Sequence, residues 1–458
     1  TPYSVNVQGA GLVDYKSAAQ ADLIITHNGV SKLELGNKLS DSFELSFEVE
    51  NLSGKAKELK LSVMLGTPDL ETLTYETLCG ENDYYFEHTQ KTLYEILGKS
   101  KTDTVSFMKP TLKLFDNASI TLDGNAINAS KKQSYGITLN GKSKTLIRLN
   151  VTLSEAELAE FEKLYPNGMY IEGFIKLDGE QSYSMPFLGF RGDFYSSSPF
   201  DSSLYETASP FGGNYLYTVC QNDRFDSTAE LGTNNMYGYN TLSMSFDERL
   251  SILSPFGDGC DGSLYASVSL IRNLASLKAT VYDETGNELH NTNVLRGLAK
   301  AYAEPTLGTT NRYSLKLWDC RSDENDKYVY GDGKYLCKLI GTDSVGNTFE
   351  QSFDFYVDSR KPELVSYSIH SENGKKILSL TVRDDMYMQA AYLTTDRGKK
   401  LTPLESHTFS KDNLLAAGAG AAHTLTYDIT NVSAIYVYAE LYDIAFNCKT
   451  VRMSVTGG

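Results

Sequence analysis

Hydrophobic and polar positions alternate along most of this chain. In SFELSFEVENLSG, Phe43, Leu45, Phe47 and Val49 fall on one side, and Glu44, Ser46 and Glu48 on the other. That period of two is the pattern of a half-buried antiparallel strand. AKELKLSVML repeats it through Leu59, Leu61 and Val63, and GKSKTLIRLNVTLS returns to it. The stretch from Glu71 to Val105 is more polar and rich in tyrosine, and reads as an insertion. MYIEGFIKLDG and SYSMPFLGF form a predicted hairpin around the turn signal Asp178-Gly179.

The period changes once, in SEAELAEFEKLYPNG. Leu158, Phe161 and Leu164 form a helical stripe, Pro166-Asn167-Gly168 stops it, and Ser154 with Glu157 has the spacing of a capping box. A shorter helix is predicted in YKSAAQA, from Tyr15 to Ala21.

Serine, glycine and proline cluster from Ser196 to Gly213, which marks a boundary. A second β-rich unit follows, with DETGN and DSVGN as hairpin turns. Ser359-Arg360-Lys361-Pro362 is a polar linker, and a third unit starts at Glu363. LIGTDSVGNTFEQSF and AELYDIAFNCKTVRM, which close units two and three, resemble each other. Short strands at regular spacing predict an all-β fold of tandem β-sandwiches with one short inserted helix. The expected divisions are 1–21, 22–195, 196–361 and 362–458.

Composition sharpens this picture. Thirty-one tyrosines against one tryptophan suit pleated, half-buried surfaces. A net charge of −16 repels phosphate backbones and argues against nucleic acid as a partner. There is no apolar run of the roughly 18 residues a membrane span needs. The six cysteines are scattered, with neither CxxC pairs nor zinc spacing.

Several motifs, taken in order, resemble one family. QGAGLVD followed by a small-residue helix is similar to the end of a subtilisin-like serine protease domain. YPNGMYIEGF (Tyr165 to Phe174), MPFLGFRGDF (Met185 to Phe194), LSPFGDGCDG with LIRNLASLKATVYDETGNEL, and WDC…GDGKYLCKLIGTDSVGN resemble segments that follow the catalytic domain in large cell-envelope proteinases. These include surface proteinases of lactic acid bacteria and complement-degrading peptidases of streptococci. The resemblance implies three fibronectin type III-like or immunoglobulin-like sandwiches at a bacterial cell surface. Their implied partners are an upstream subtilisin-like catalytic domain and its protein substrate.

A subtilase triad needs Asp, His and Ser in separate motifs. No GTS turn occurs here, and His27, His88, His290, His370, His407 and His423 all lack the flanking glycines of an active-site histidine. The expectation is a non-catalytic accessory region that stabilises the protease and offers exosites, with no cofactor of its own. The alternative is an adhesin or stalk that binds host protein.

Two candidate sites remain. Asp258 and Asp261, spaced by glycines, offer carboxylates to calcium, or else cap a tight turn; the family's asparagine is replaced by Phe256. Arg191-Gly192-Asp193 is an RGD tripeptide, read either as an integrin-type binding loop or as the end of a strand flanked by apolar residues.

Overall fold

A computed structural model of the chain describes residues 3–10, 14–79, 93–96, 98–127, 134–207, 209, 212–221, 226–233, 246–255, 262–304, 308–321, 331–395 and 403–456. The fold is all-β. It divides into two compact units, Thr1–Leu78 with Lys101–Ser197, and Cys79–Ser100 with Ser198–Gly458.

The first unit is a sandwich of two sheets. One orders the strands Leu23–Thr26, Ser42–Asn51, Ser143–Thr152, Ser119–Leu122 and Asn125–Ala126. The other orders Leu33–Gly36, Ser182–Arg191, Met169–Asp178, Lys57–Thr74 and Thr104–Leu114, with Tyr135–Leu139 also paired to Lys57–Thr74. The alternation places side chains as expected. Leu45, Phe47 and Val49 are fully buried in the core, with Leu59, Leu61 and Val63 facing them, while Phe43 is half-buried against its edge. The hairpin around Asp178-Gly179 runs in unbroken register from Met169 opposite Arg191 to Asp178 opposite Ser182. The expected insertion is strand at both ends: Lys57–Thr74 pairs with Thr104–Leu114 as far as Thr74 opposite Thr104.

The inserted helix spans Glu155–Leu164 and buries Leu158 and Phe161, whose ring lies 4.8 Å from that of Phe115. Its capping box is absent. Ser154 makes no side-chain cap, and the Glu157 carboxylate instead accepts the backbone N–H groups of Asp116 at 2.6 Å and Asn117 at 3.2 Å. Glu157 is thus spent on a neighbouring turn. Leu164 is exposed, and Tyr165 takes its place in the core, donating its hydroxyl to the Pro68 carbonyl.

The start of the chain is held by one buried acid. Ser4 is fully buried and donates to Glu172 Oε1 at 2.7 Å, and the Asn6 N–H donates to Glu172 Oε2 at 3.0 Å. A one-turn helix, Val5–Gln8, follows. Tyr15–Ala19 forms the second short helix, capped by Asp14.

The second unit holds two sandwiches, each around its own core. In the first of these, Asp226–Glu230, Tyr215–Gln221, Leu264–Val268 and Tyr313–Trp318 face Ile252–Leu253, Thr348–Val357, Gly333–Thr342, Leu274–Asp283 and Glu288–Asn291. Trp318 is 1% exposed there, packs on Tyr335 and Phe355, and donates its indole N–H to the Arg321 carbonyl at 3.0 Å. Cys320 and Cys337 are buried thiols, each pushed up to about 12 by burial.

In the other, Glu363–Glu372, Lys375–Arg383 and Ala422–Asp428 face Pro403–Thr408, Met388–Thr394, Tyr436–Asp443 and Cys448–Ser454. The two sandwiches of this unit share buried side chains. Leu250 and Ile252 pack with Tyr387, Leu414, Ile444 and Ala445, and Ala229 packs with Ala390, Tyr442 and Phe446. At roughly 1.5–3 kcal/mol for each large side chain buried, such a junction is part of the folded core.

Candidate functional site

One local motif recurs three times in the second unit: an aspartate at a strand end and an asparagine four residues on. Asp283–Asn287, Asp343–Asn347 and Asp443–Asn447 close the same turn. In each, the asparagine N–H donates to the aspartate Oδ1 at 2.9, 2.9 and 2.7 Å, and its side-chain amide donates to Oδ2 at 2.8, 2.9 and 2.8 Å. The fourth position needs a left-handed backbone. Gly286 and Gly346 supply it at φ 87° and 93°, whereas Phe446 holds φ 68° with a full side chain.

The three aspartates differ in surroundings. Asp283 lies near the surface, and the donors Asn287 and Thr285 hold its carboxyl down at about 2. Asp343 is also held below the usual carboxylate range: burial opposes ionisation, but donors from Asn347, Val345 and Gly346 outweigh it. Asp443 is fully buried, and its carboxyl is pushed well above that range, first by burial and then by the charge of Asp384.

Asp443 belongs to a cluster. A carboxylate oxygen from each of Asp358, Asp384 and Asp443 lies within 4.8 Å of the others, and the three residues are 1%, 3% and 0% exposed. Asp358 follows the strand Thr348–Val357, Asp384 follows Lys375–Arg383, and Asp443 ends Tyr436–Asp443. Backbone amides fix one oxygen of two of them: Arg360 N–H donates to Asp358 Oδ1 at 3.0 Å, and Met386 N–H to Asp384 Oδ1 at 2.8 Å. Asp358 Oδ2 and Asp384 Oδ2 are buried without a hydrogen-bond partner.

Asn447 braces the cluster from behind. Its amide also donates to the Asp358 carbonyl at 3.0 Å, and its Oδ1 accepts from the Ser254 hydroxyl at 2.5 Å. The Arg360 guanidinium is close enough to favour charge on Asp358 and Asp384. Its N–H groups, however, go to Asp332 at 2.9 Å and Asp385 at 2.5 Å.

Burial first, and then neighbouring negative charge, raises the carboxyls of Asp358 and Asp384 as well. Two unit charges 4.8 Å apart repel by about 3–4 kcal/mol at an effective dielectric of about 20. Three such carboxylates cannot all ionise without a counter-charge. An all-oxygen, acidic, buried donor set of this kind suits a hard cation.

Asp258 and Asp261 lie outside the described residues. The RGD tripeptide is placed at the end of Ser182–Arg191. Arg191 donates to Asp41 at 2.7 Å and Glu162 at 2.8 Å, and Asp193 pairs with Lys38 at 2.8 Å and accepts from the Tyr195 N–H at 3.1 Å. Gly192 has φ 123°, and a Cβ there would sit 2.9 Å from Gly168 Cα. Both charged side chains of the tripeptide are engaged within the sandwich. The acidic cluster escaped sequence reading because its members come from three distant strand ends; only Asp443 carried a signal, the spacing to Asn447 it shares with Asp343 and Asn347.

No protein-family model matches the chain. It is similar to C5a peptidase of Streptococcus pyogenes, 24% identical over 438 aligned positions that cover 82% of this chain and 33% of that protein. It is also similar to the PI-type proteinase of Lactococcus lactis subsp. cremoris, 24% identical over 395 positions that cover 83% of this chain and 18% of that one. The chain thus spans about a third of the first relative and less than a fifth of the second. The motif-level resemblance to cell-envelope proteinases therefore extends along most of the chain. Among solved structures, the tetra-tandem repeat of the extending region of a large adhesion protein overlaps 90% of the chain and 70% of its own, at 12% identity and a TM-score of 0.21. A TM-score that low adds nothing to the fold description.

Proposed function

We propose that this chain is a non-catalytic accessory region of a secreted or cell-surface subtilisin-like serine endopeptidase. In this reading the first sandwich, of fibronectin type III type, rests on the catalytic domain and stabilises it. The later sandwiches space the enzyme from its anchor and offer exosites to protein substrates. The observation that carries the reading is similarity to two surface proteinases along more than four-fifths of the chain, with the motifs in order. The net charge of −16 fits a protein-facing role and disfavours nucleic acid. The internal pairing of Arg191 and Asp193 weighs against integrin-type adhesion through the tripeptide.

An activity-based probe tests this. The isolated 458-residue chain is expected to be inert to a fluorophosphonate and to cleave no casein, while the parent polypeptide that carries it labels at one serine. Stoichiometric labelling of the isolated chain, or an unlabelled parent, overturns the reading.

A further inference from the structure

The geometry points to a calcium site formed by Asp358, Asp384 and Asp443, which clamps the two sandwiches of the second unit together. It stands whatever the parent protein does.

The cluster alone would not carry this, because acids gather for other reasons. The orphaned oxygens do. Asp358 Oδ2 and Asp384 Oδ2 are buried, lack any hydrogen-bond partner, and belong to carboxylates whose other oxygen is pinned by a backbone amide. An unpaired buried acceptor costs about 1–3 kcal/mol, and more when charged. A third oxygen is in the same condition: Gln389 Oε1, in a residue 3% exposed. Gln389 sits at the bulge between Met388 and Ala390, where Met388–Thr394 pairs with the end of Tyr436–Asp443.

Chemistry selects the ion. Calcium takes about six to eight oxygens at about 2.3–2.6 Å in flexible geometry, and one carboxylate oxygen from each of the three residues lies within 4.8 Å of the others, close enough to share a single ion. Magnesium needs about 2.0–2.1 Å in near-ideal octahedral geometry and keeps several of its waters, which suits a dedicated all-protein donor set poorly. The set contains neither thiolate nor imidazole, so softer metals gain nothing from it. Among the described residues, no lysine or arginine is ion-paired with any of the three, and the nearby Arg360 guanidinium is shared with Asp332 and Asp385.

The position gives the ion a job. Asp358 opens the connection that leaves one sandwich, and Asp384 and Asp443 belong to the next. A cation held by all three crosslinks the junction beside the shared apolar contacts of Ile252, Tyr387 and Ile444. Without it, the three acids face one another at the junction and cannot all carry charge.

The test uses the whole chain, stripped with chelator and then titrated with calcium chloride by calorimetry, alongside thermal unfolding in chelator and in calcium. One binding event involving this cluster is expected, with a raised melting temperature because the ion binds the native state. Magnesium is expected to shift it less. Asp384→Asn should weaken calcium binding at least tenfold. In chelator that variant should be no less stable than the parent chain, because it removes a repelling charge. Asp358→Asn repeats the measurement should the first variant fold poorly. Absence of a calcium-dependent shift up to about 10 mM overturns the site, and so does equal calcium binding by the parent chain and both variants.

Discussion

Asp343–Asn347 and Asp443–Asn447 close their hairpins with the same hydrogen bonds, within 0.2 Å of one another, yet they do opposite things to their acids. At the first turn the donors win and the carboxylate stays charged at little cost. At the second the two asparagine donors are again present and lose, because the acid is fully buried and faces two others. A turn motif fixes where an aspartate points. What surrounds it decides whether that aspartate is a structural cap or part of a binding site.

The most severe way to break this comparison is at the asparagines. Asn447→Ala removes donors to Asp443 and Asp358 and the acceptor of Ser254 from a buried network, and is expected to cost about 2–4 kcal/mol. Asn347→Ala, at an exposed position, should cost about 1 kcal/mol or less. Urea unfolding of the two variants decides, and equal costs would mean the buried turn is no more integrated than the surface one.

A smaller effect separates strain from packing at the fourth turn position. Phe446 spends about 1–2 kcal/mol on its left-handed backbone, but its ring is buried with Ala229, Ala390 and Tyr442. Burying an aromatic ring is worth about 3–5 kcal/mol. Phe446→Gly should therefore destabilise by about 2 kcal/mol, despite relieving the backbone. Gly346→Ala, where a Cβ meets nothing within 4 Å but φ is 93°, should cost about 1 kcal/mol through strain alone. A stabilising Phe446→Gly would show that strain dominates at the junction.

The mildest test concerns Asp283, the most exposed of the three acids. Its carboxyl is expected to titrate with a midpoint of about 2 by carbon NMR. Its folded value is depressed, so the stability it adds is present above the ordinary carboxylate value of 3.8 and fades as pH falls through about 2. Asp283→Asn should flatten that acid limb slightly. A midpoint near 3.8 would say that the Asn287 and Thr285 hydrogen bonds do not persist in solution.

These turns also show where sequence reading reached and where it stopped. DETGN and DSVGN were legible because glycine marks the left-handed position, and the strand faces were legible because alternation needs no partner to be seen. DIAFN shows the likeness only when aligned with DSVGN, since phenylalanine replaces the glycine and hides the turn. The helix Glu155–Leu164 was legible in its stripe but not in its cap, because Glu157 is drawn to a turn some forty positions back in the chain. Asp384 carried no local signal at all. It follows an ordinary strand, and its role exists only once Lys375–Arg383 and Tyr436–Asp443 are stacked in opposing sheets.

Trp318 gives the molecule a built-in reporter. It is the chain's only tryptophan, it is 1% exposed, and it lies in the core of a single sandwich. Its emission spectrum therefore answers for that one core. Circular dichroism answers for every strand at once. Where the two signals part company on heating, the chain is opening elsewhere while the Trp318 core stays dry, so cooperativity between neighbouring sandwiches can be read optically without attaching a label.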